Sequence, residues 1–166
     1  MGEYLRSTRK CSFDDFKPEI REKMMHQVES YDLGDIVSEA LICCETLSER
    51  KKKSLFGKDR GLTGEKQYTD IMVTPRFLIW GIADIRSTFS IWARLSSLDE
   101  VKDYRDTFFS DKVDDTGMSI HGFLADAPER DYSFIGLGEG DAASEEFKEV
   151  LLDAWTNARR SSDRNL

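Results

Sequence analysis

Phe147-Lys148-Glu149-Val150-Leu151-Leu152-Asp153-Ala154-Trp155-Thr156-Asn157-Ala158 decides how this chain is read. Phe147, Val150, Leu151, Ala154, Trp155 and Ala158 recur at spacings of three, one, three, one and three. That rhythm puts all six on one stripe of a 3.6-residue helix. The helix predicted over 143–160 begins just after Gly138-Glu139-Gly140-Asp141, where shorter alternating segments end. A single helix with Trp in its stripe needs an apolar surface to cover. The strands before it supply one, which predicts a small sheet or barrel plugged by a terminal helix.

Those strands are read backwards from the helix. Segments 132–137 and 118–124 alternate, joined by a turn holding Pro128 and Asp131. A short strand is expected at 101–104. In 88–95, Phe89, Ile91, Ala93 and Leu95 point one way and Ser90, Trp92 and Arg94 the other. Segments 77–82 and 68–74 flank Pro75, which cannot donate to a central ladder. Stretch 35–50 has apolar residues at helical spacing, yet Ile36, Val37, Ile42, Cys43, Cys44 and Thr46 suit a pleated surface. It is read as a long first strand, followed by a loop through Lys51-Lys52-Lys53 to Lys66. Before it, 12–31 reads as a helix: Pro18 sits in an early turn, and Ile20, Met24 and Val28 repeat at four-residue spacing. The first ten residues are polar and basic and are expected to be loose.

Composition bounds the function. The chain has 166 residues, 39% hydrophobic and 34% charged, enough for one packed domain. A formal charge of −8 argues against general nucleic-acid binding. No apolar run reaches the ~18 to 20 residues of a membrane span. The first residues lack a signal-peptide core, and Arg6 stands where a myristoylation signal wants Ser or Thr. Three cysteines make neither a disulfide framework nor a zinc spacing. A reducing cytoplasm is the expected setting.

About seven strands closed by an amphipathic helix resembles the pleckstrin homology (PH) fold, in particular the bacterial PH-like families. Tyr68-Thr69-Asp70-Ile71-Met72-Val73-Thr74-Pro75-Arg76-Phe77-Leu78-Ile79-Trp80 is similar to their strand–turn–strand signature. Leu95-Ser96-Ser97-Leu98-Asp99-Glu100-Val101 resembles the link before their fifth strand, and Gly117-Met118-Ser119-Ile120 the start of their sixth. Tyr132-Ser133-Phe134-Ile135-Gly136-Leu137-Gly138, with Phe147, Leu151 and Trp155, resembles the end of the domain. The likeness covers 36–160. It implies a mainly β with α (α+β) fold, a barrel of about seven antiparallel strands capped by the C-terminal helix. Residues 1–34 are then an N-terminal helical extension and 35–162 the PH-like domain.

Chemistry-bearing patterns are few. Arg50, Lys51, Lys52, Lys53, Lys58 and Arg60 cluster in the loop after the first strand, with Leu55 and Phe56 among them. Some PH-like relatives hold phosphoinositide headgroups with that loop, through charge-assisted bonds to phosphate. Each cation near an anionic membrane adds about 1 kcal/mol. A solvated basic loop is the competing reading. Gly136-Leu137-Gly138-Glu139-Gly140 lacks the Lys and Ser/Thr of a phosphate-cradling loop, and the acids after it suit a helix start. His26, His121, Cys43 and Cys44 form no nucleophile–base pair, and Cys43 and Cys44 should face opposite ways. The run 111–115 lacks a calcium-loop spacing.

The expectation is a non-catalytic binding or assembly module with no cofactor and no metal. Its partner is another protein or a second copy of itself, met through an edge strand or through the helix bearing Met24, Met25 and Val28. Trp80 and Trp92, if they share a face away from the core, would add an apolar patch. The alternative is a membrane-peripheral module holding anionic lipid through the basic loop.

Overall fold

A computed structural model describes residues 3–52, 61–112 and 115–163. In chain order its elements are β1 (Tyr4–Lys10), α1 (Pro18–Ser30), β2 (Ile42–Lys51), β3 (Leu62–Val73), β4 (Phe77–Ala83), β5 (Thr88–Arg94), β6 (Leu98–Asp103), β7 (Gly117–Phe123), β8 (Arg130–Gly136) and α2 (Ala142–Asp163). They make a mixed α+β architecture. One antiparallel sheet runs β1-β2-β3-β4-β5 and a second runs β6-β7-β8.

Continuous apolar runs explain the layering. Ile71-Met72-Val73 and Phe77-Leu78-Ile79-Trp80 are buried at every position, so the larger sheet is dry on both faces at its middle. Alternation sorts the side chains. Ile71, Val73, Leu78 and Trp80 join a core with β6, β7, β8 and α2, while Met72, Phe77 and Ile79 join a second core under α1.

Helix α1 starts with Pro18 in its first turn and buries Ile20, Met24 and Val28. It lies close to β4 because Gly81 has no side chain; a Cβ there would overlap Cγ2 of Ile20. Helix α2 buries Phe147, Leu151 and Ala154 in the other core, with Val150, Trp155 and Ala158 packed at its margin. The Trp155 indole N–H donates to the carbonyl of Leu98 at 3.0 Å, tying the helix to the start of β6. Fully burying a side chain such as Phe147 is worth about 1.5–3 kcal/mol.

Four expectations change. Residues 4–10 are not loose: they form the edge strand β1, with Thr8 opposite Thr46 and their hydroxyls 2.8 Å apart. The strand expected over 35–50 begins only at Ile42. Its first part is a turn in which the Ser38 N–H donates to Asp35 Oδ1 at 3.2 Å. The expected loop to Lys66 is shorter, because β3 already starts at Leu62. Finally, the two sheets are not closed into a barrel. A 3-10 turn, Leu95–Ser97, separates β5 from β6. On the other side, the Gly138–Asp141 turn occupies the outer edge of β1. Asp141 Oδ2 takes the Thr8 N–H at 2.7 Å, and the Gly138 N–H donates to Thr8 Oγ1 at 2.9 Å. The described part of the 1–34 stretch, residues 3–34, therefore contributes one strand of the larger sheet and the helix that covers it. No helix among the described residues is long and apolar enough to cross a membrane.

Candidate functional site

Arg50 and Lys51, expected in a loop, end β2 itself and lie with Lys52 at one end of the larger sheet. Arg50 donates to Glu3 Oε1 from Nε at 3.0 Å and from Nη2 at 2.7 Å, and to Glu65 Oε2 from Nη1 at 3.1 Å. Lys66 Nζ stands 3.5 Å from Glu49. The backbone N–H of Lys51 bonds Glu3 and that of Lys52 bonds Gly61, which holds the hairpin stem. Lys53, Lys58 and Arg60 lie outside the described residues. A cleft of about 220 Å³ opens here between the β2–β3 stem and the β4–β5 turn, lined by Tyr4, Arg50, Glu65, Lys66, Gln67, Asp84, Ile85 and Arg86. Carboxylates offset the cations in this cleft, so an anion would have to displace ion pairs to enter.

A second polar cluster lies beneath the start of α1. Asp70 and Glu45 are cross-strand partners on the α1 side of the sheet. Asp70 Oδ2 accepts the backbone N–H of Lys17 at 2.7 Å, at the mouth of the helix. Glu45 Oε1 accepts from Arg9 Nε at 3.0 Å, and its other oxygen is 3.7 Å from Lys17 Nζ. That ammonium also sits 3.9 Å from the centroid of the Tyr68 ring. Burial pushes the Asp70 carboxyl up to about 7, against the opposing pull of the Lys17 N–H. Burial likewise pushes the thiols of Cys11, Cys43 and Cys44 up to about 12, 11 and 12. Thiols in this state are poor nucleophiles at neutral pH. The cluster caps a helix. Asp70 and Glu45 went unread in the sequence, where the available signal was an acid set against the apolar part of each of two strands.

The outer face of the smaller sheet is different in kind. His121 and Tyr132, opposite each other in β7 and β8, stack with centroids 4.1 Å apart and planes 22° from parallel. Tyr104 packs edge-on to Phe134 at 5.0 Å. Arg130 lies over Phe123 at 4.6 Å and donates to Asp99 at 2.6 Å. Tyr132 is 60% exposed. The result is a row of aromatic rings with a guanidinium at one end, built from residues whose neighbours Met118, Ile120 and Ile135 fill the core.

The residues first considered for a partner interface face inward. Trp80 pairs with Ile91 and Trp92 with Ile79, so the two indoles lie on opposite faces of the sheet, each at least 96% buried. Met24 and Val28 are buried under α1, and Met25 packs at the rim of the same core. Points on both edges of the larger sheet are also occupied. Besides Thr8 on β1, the β5 carbonyls of Ser90 and Trp92 accept from Gln27 Nε2 at 3.1 Å and from the Ala125 N–H at 2.8 Å. Bonded edge groups cannot template another strand.

No protein-family model, curated protein or solved structure matches the chain.

Proposed function

We propose that the protein is a non-catalytic binding module of PH-like organisation that makes contact with another protein, or with a second copy of itself, through the outer face of β6-β7-β8. Two features support the PH-like part. Without β1 the larger sheet is a four-stranded meander, β2 to β5. A three-stranded meander follows, and then a helix whose apolar stripe enters the core between them.

The contact surface rests on one observation: the row Tyr104, Phe134, Tyr132, His121 and Phe123, ending at Arg130, stands partly or well exposed on a sheet face. Tyr and Arg are enriched among the residues that carry binding energy at protein interfaces, because each offers a large apolar body with a polar end. Both faces of the middle of the larger sheet, by contrast, are already covered by α1 and by the smaller sheet with α2. Light scattering across a concentration series, on the parent and on Tyr132→Asp, tests the self-association form. A mass that rises with concentration in the parent and stays monomeric in the variant supports it. A parent that remains monomeric leaves only the second-protein form.

A second reading has its own support. The cleft at the hairpin stem adds Lys66 and Arg86 to Arg50, cations the loop sequence alone did not bring together. An anionic headgroup would be held here by taking Arg50 from Glu3 and Glu65 and Lys66 from Glu49. Sedimentation with phosphatidylserine vesicles at low and high salt tests it: salt-sensitive pelleting lost in Lys66→Glu/Arg86→Glu supports the membrane reading, and absence of pelleting at either salt removes it.

A further inference from the structure

We propose that Cys11 and Cys43 are the site of a reversible cross-strand disulfide that fastens the N-terminal strand and α1 to the larger sheet, formed by exchange with a low-molecular-weight disulfide. The register places them together. β1 and β2 pair Arg9 with Glu45 and Lys10 with Cys44, so the next position sets Cys11 against Cys43. The Cys11 N–H donates to the Cys43 carbonyl at 3.0 Å, one of the two bonds of a hydrogen-bonded antiparallel pair. Their side chains share a face: Cys43 belongs to the core under α1, and Cys11 packs against that same core. Cys44 points to the opposite core. All three cysteines are free thiols here.

Residues opposed in a hydrogen-bonded antiparallel pair have Cα atoms about 5.5 Å apart, inside the range a disulfide spans. The Cβ atoms of such a pair sit somewhat wider than a relaxed disulfide prefers, so the bond carries strain. Strained disulfides are the readily reduced ones, which makes this a reversible fastening.

The exchange has two steps. The Cys11 thiolate, on the half-exposed residue, attacks one sulfur of the small disulfide. A mixed disulfide forms on Cys11, the small S–S bond breaks, and one small thiol leaves with a proton. The Cys43 thiolate then attacks the Cys11 sulfur, forming the Cys11–Cys43 bond and releasing the second small thiol. Two electrons and two protons pass from the pair to the small disulfide. Since the thiolate is the reacting form, the rate should climb with pH through the neutral range. The closed loop contains α1 and the 35–41 turn, so oxidation pins the helix over Met72, Ile79 and Trp92.

The test uses the full chain with excess oxidised glutathione at pH 8.5. The expected product has lost two hydrogen atoms and carries no glutathione, with Cys11 linked to Cys43 in fragment spectra and Cys44 still open to alkylation. Its melting temperature should rise by roughly 5–10 °C and return on addition of dithiothreitol. Cys44→Ser should behave as the parent, and Cys43→Ser should stop at a single glutathione on Cys11. A parent that stops at that same adduct, a Cys11–Cys44 link, or an unchanged mass under conditions that oxidise the urea-unfolded chain would each overturn the proposal.

Discussion

Asp70 Oδ2 accepts the backbone N–H of Lys17 at 2.7 Å, so the group that caps α1 comes from a strand 53 residues further along the chain. A carboxylate with no exposed surface is costly in its charged form. Its placement at a helix N-terminus offsets part of that cost, since the helix dipole and the N–H both favour negative charge there.

Stability should therefore depend on pH through Asp70. Its folded value of about 7 lies above the ordinary carboxylate value, so between about 4 and 7 the folded state holds the proton more tightly than the unfolded chain. Stability from this group is fully present below about 4 and is lost as pH rises through 7. Thermal melts at pH 5.5 and 8 should show the parent falling more steeply than Asp70→Asn, whose amide keeps the acceptor and cannot titrate. Equal slopes in parent and variant would refute this assignment.

Gly81 sets how closely α1 approaches the sheet. Gly81→Ala should destabilise by about 1–3 kcal/mol through overlap with Ile20. Urea titration of a double-mutant cycle checks the cause, because Ile20→Ala removes the obstructing methyl. In that background the cost of Gly81→Ala should fall, leaving only the 3.1 Å approach of the new Cβ to the Phe89 carbonyl. An unchanged cost would place the strain elsewhere.

The stripe of α2 is graded in burial. Phe147 has no exposed surface, while Trp155 is half-buried at the rim with its indole N–H on Leu98. Phe147→Ala should cost about 3–5 kcal/mol. Trp155→Phe, which keeps the ring and drops the bond, should cost about 1 kcal/mol. Chemical denaturation orders the two, and a reversed order would mean that Trp155 is the true plug.

The strands from 68 onward and the closing helix were legible because each carries a local period or, in β4, a β-branched and aromatic run beside Pro75. β1 was not. Its inward residues are Arg6 and Thr8, polar side chains that meet Asp115, Thr46 and the Gly138 N–H only in the folded chain. Placing the two tryptophans needed the β4–β5 register, which sequence alternation does not contain: Trp92 lies opposite Ile79 and so looks away from Trp80. The double burial of the larger sheet was written in Ile71-Met72-Val73 and Phe77-Leu78-Ile79-Trp80, since an unbroken apolar run suits a strand covered on both sides. The aromatic row was hidden for another reason. Tyr132, His121 and Phe123 look like isolated surface residues until the β7–β8 pairing aligns them.

The contact surface itself is tested most directly by site-specific photocrosslinking in cells. A benzophenone side chain is installed at Tyr132 and, separately, at Glu22 on the exposed side of α1. Light should trap a discrete protein adduct from position 132, lost when Arg130→Glu is added, and none from position 22. Adducts from position 22 alone, or none from position 132, would contradict the assignment of this face.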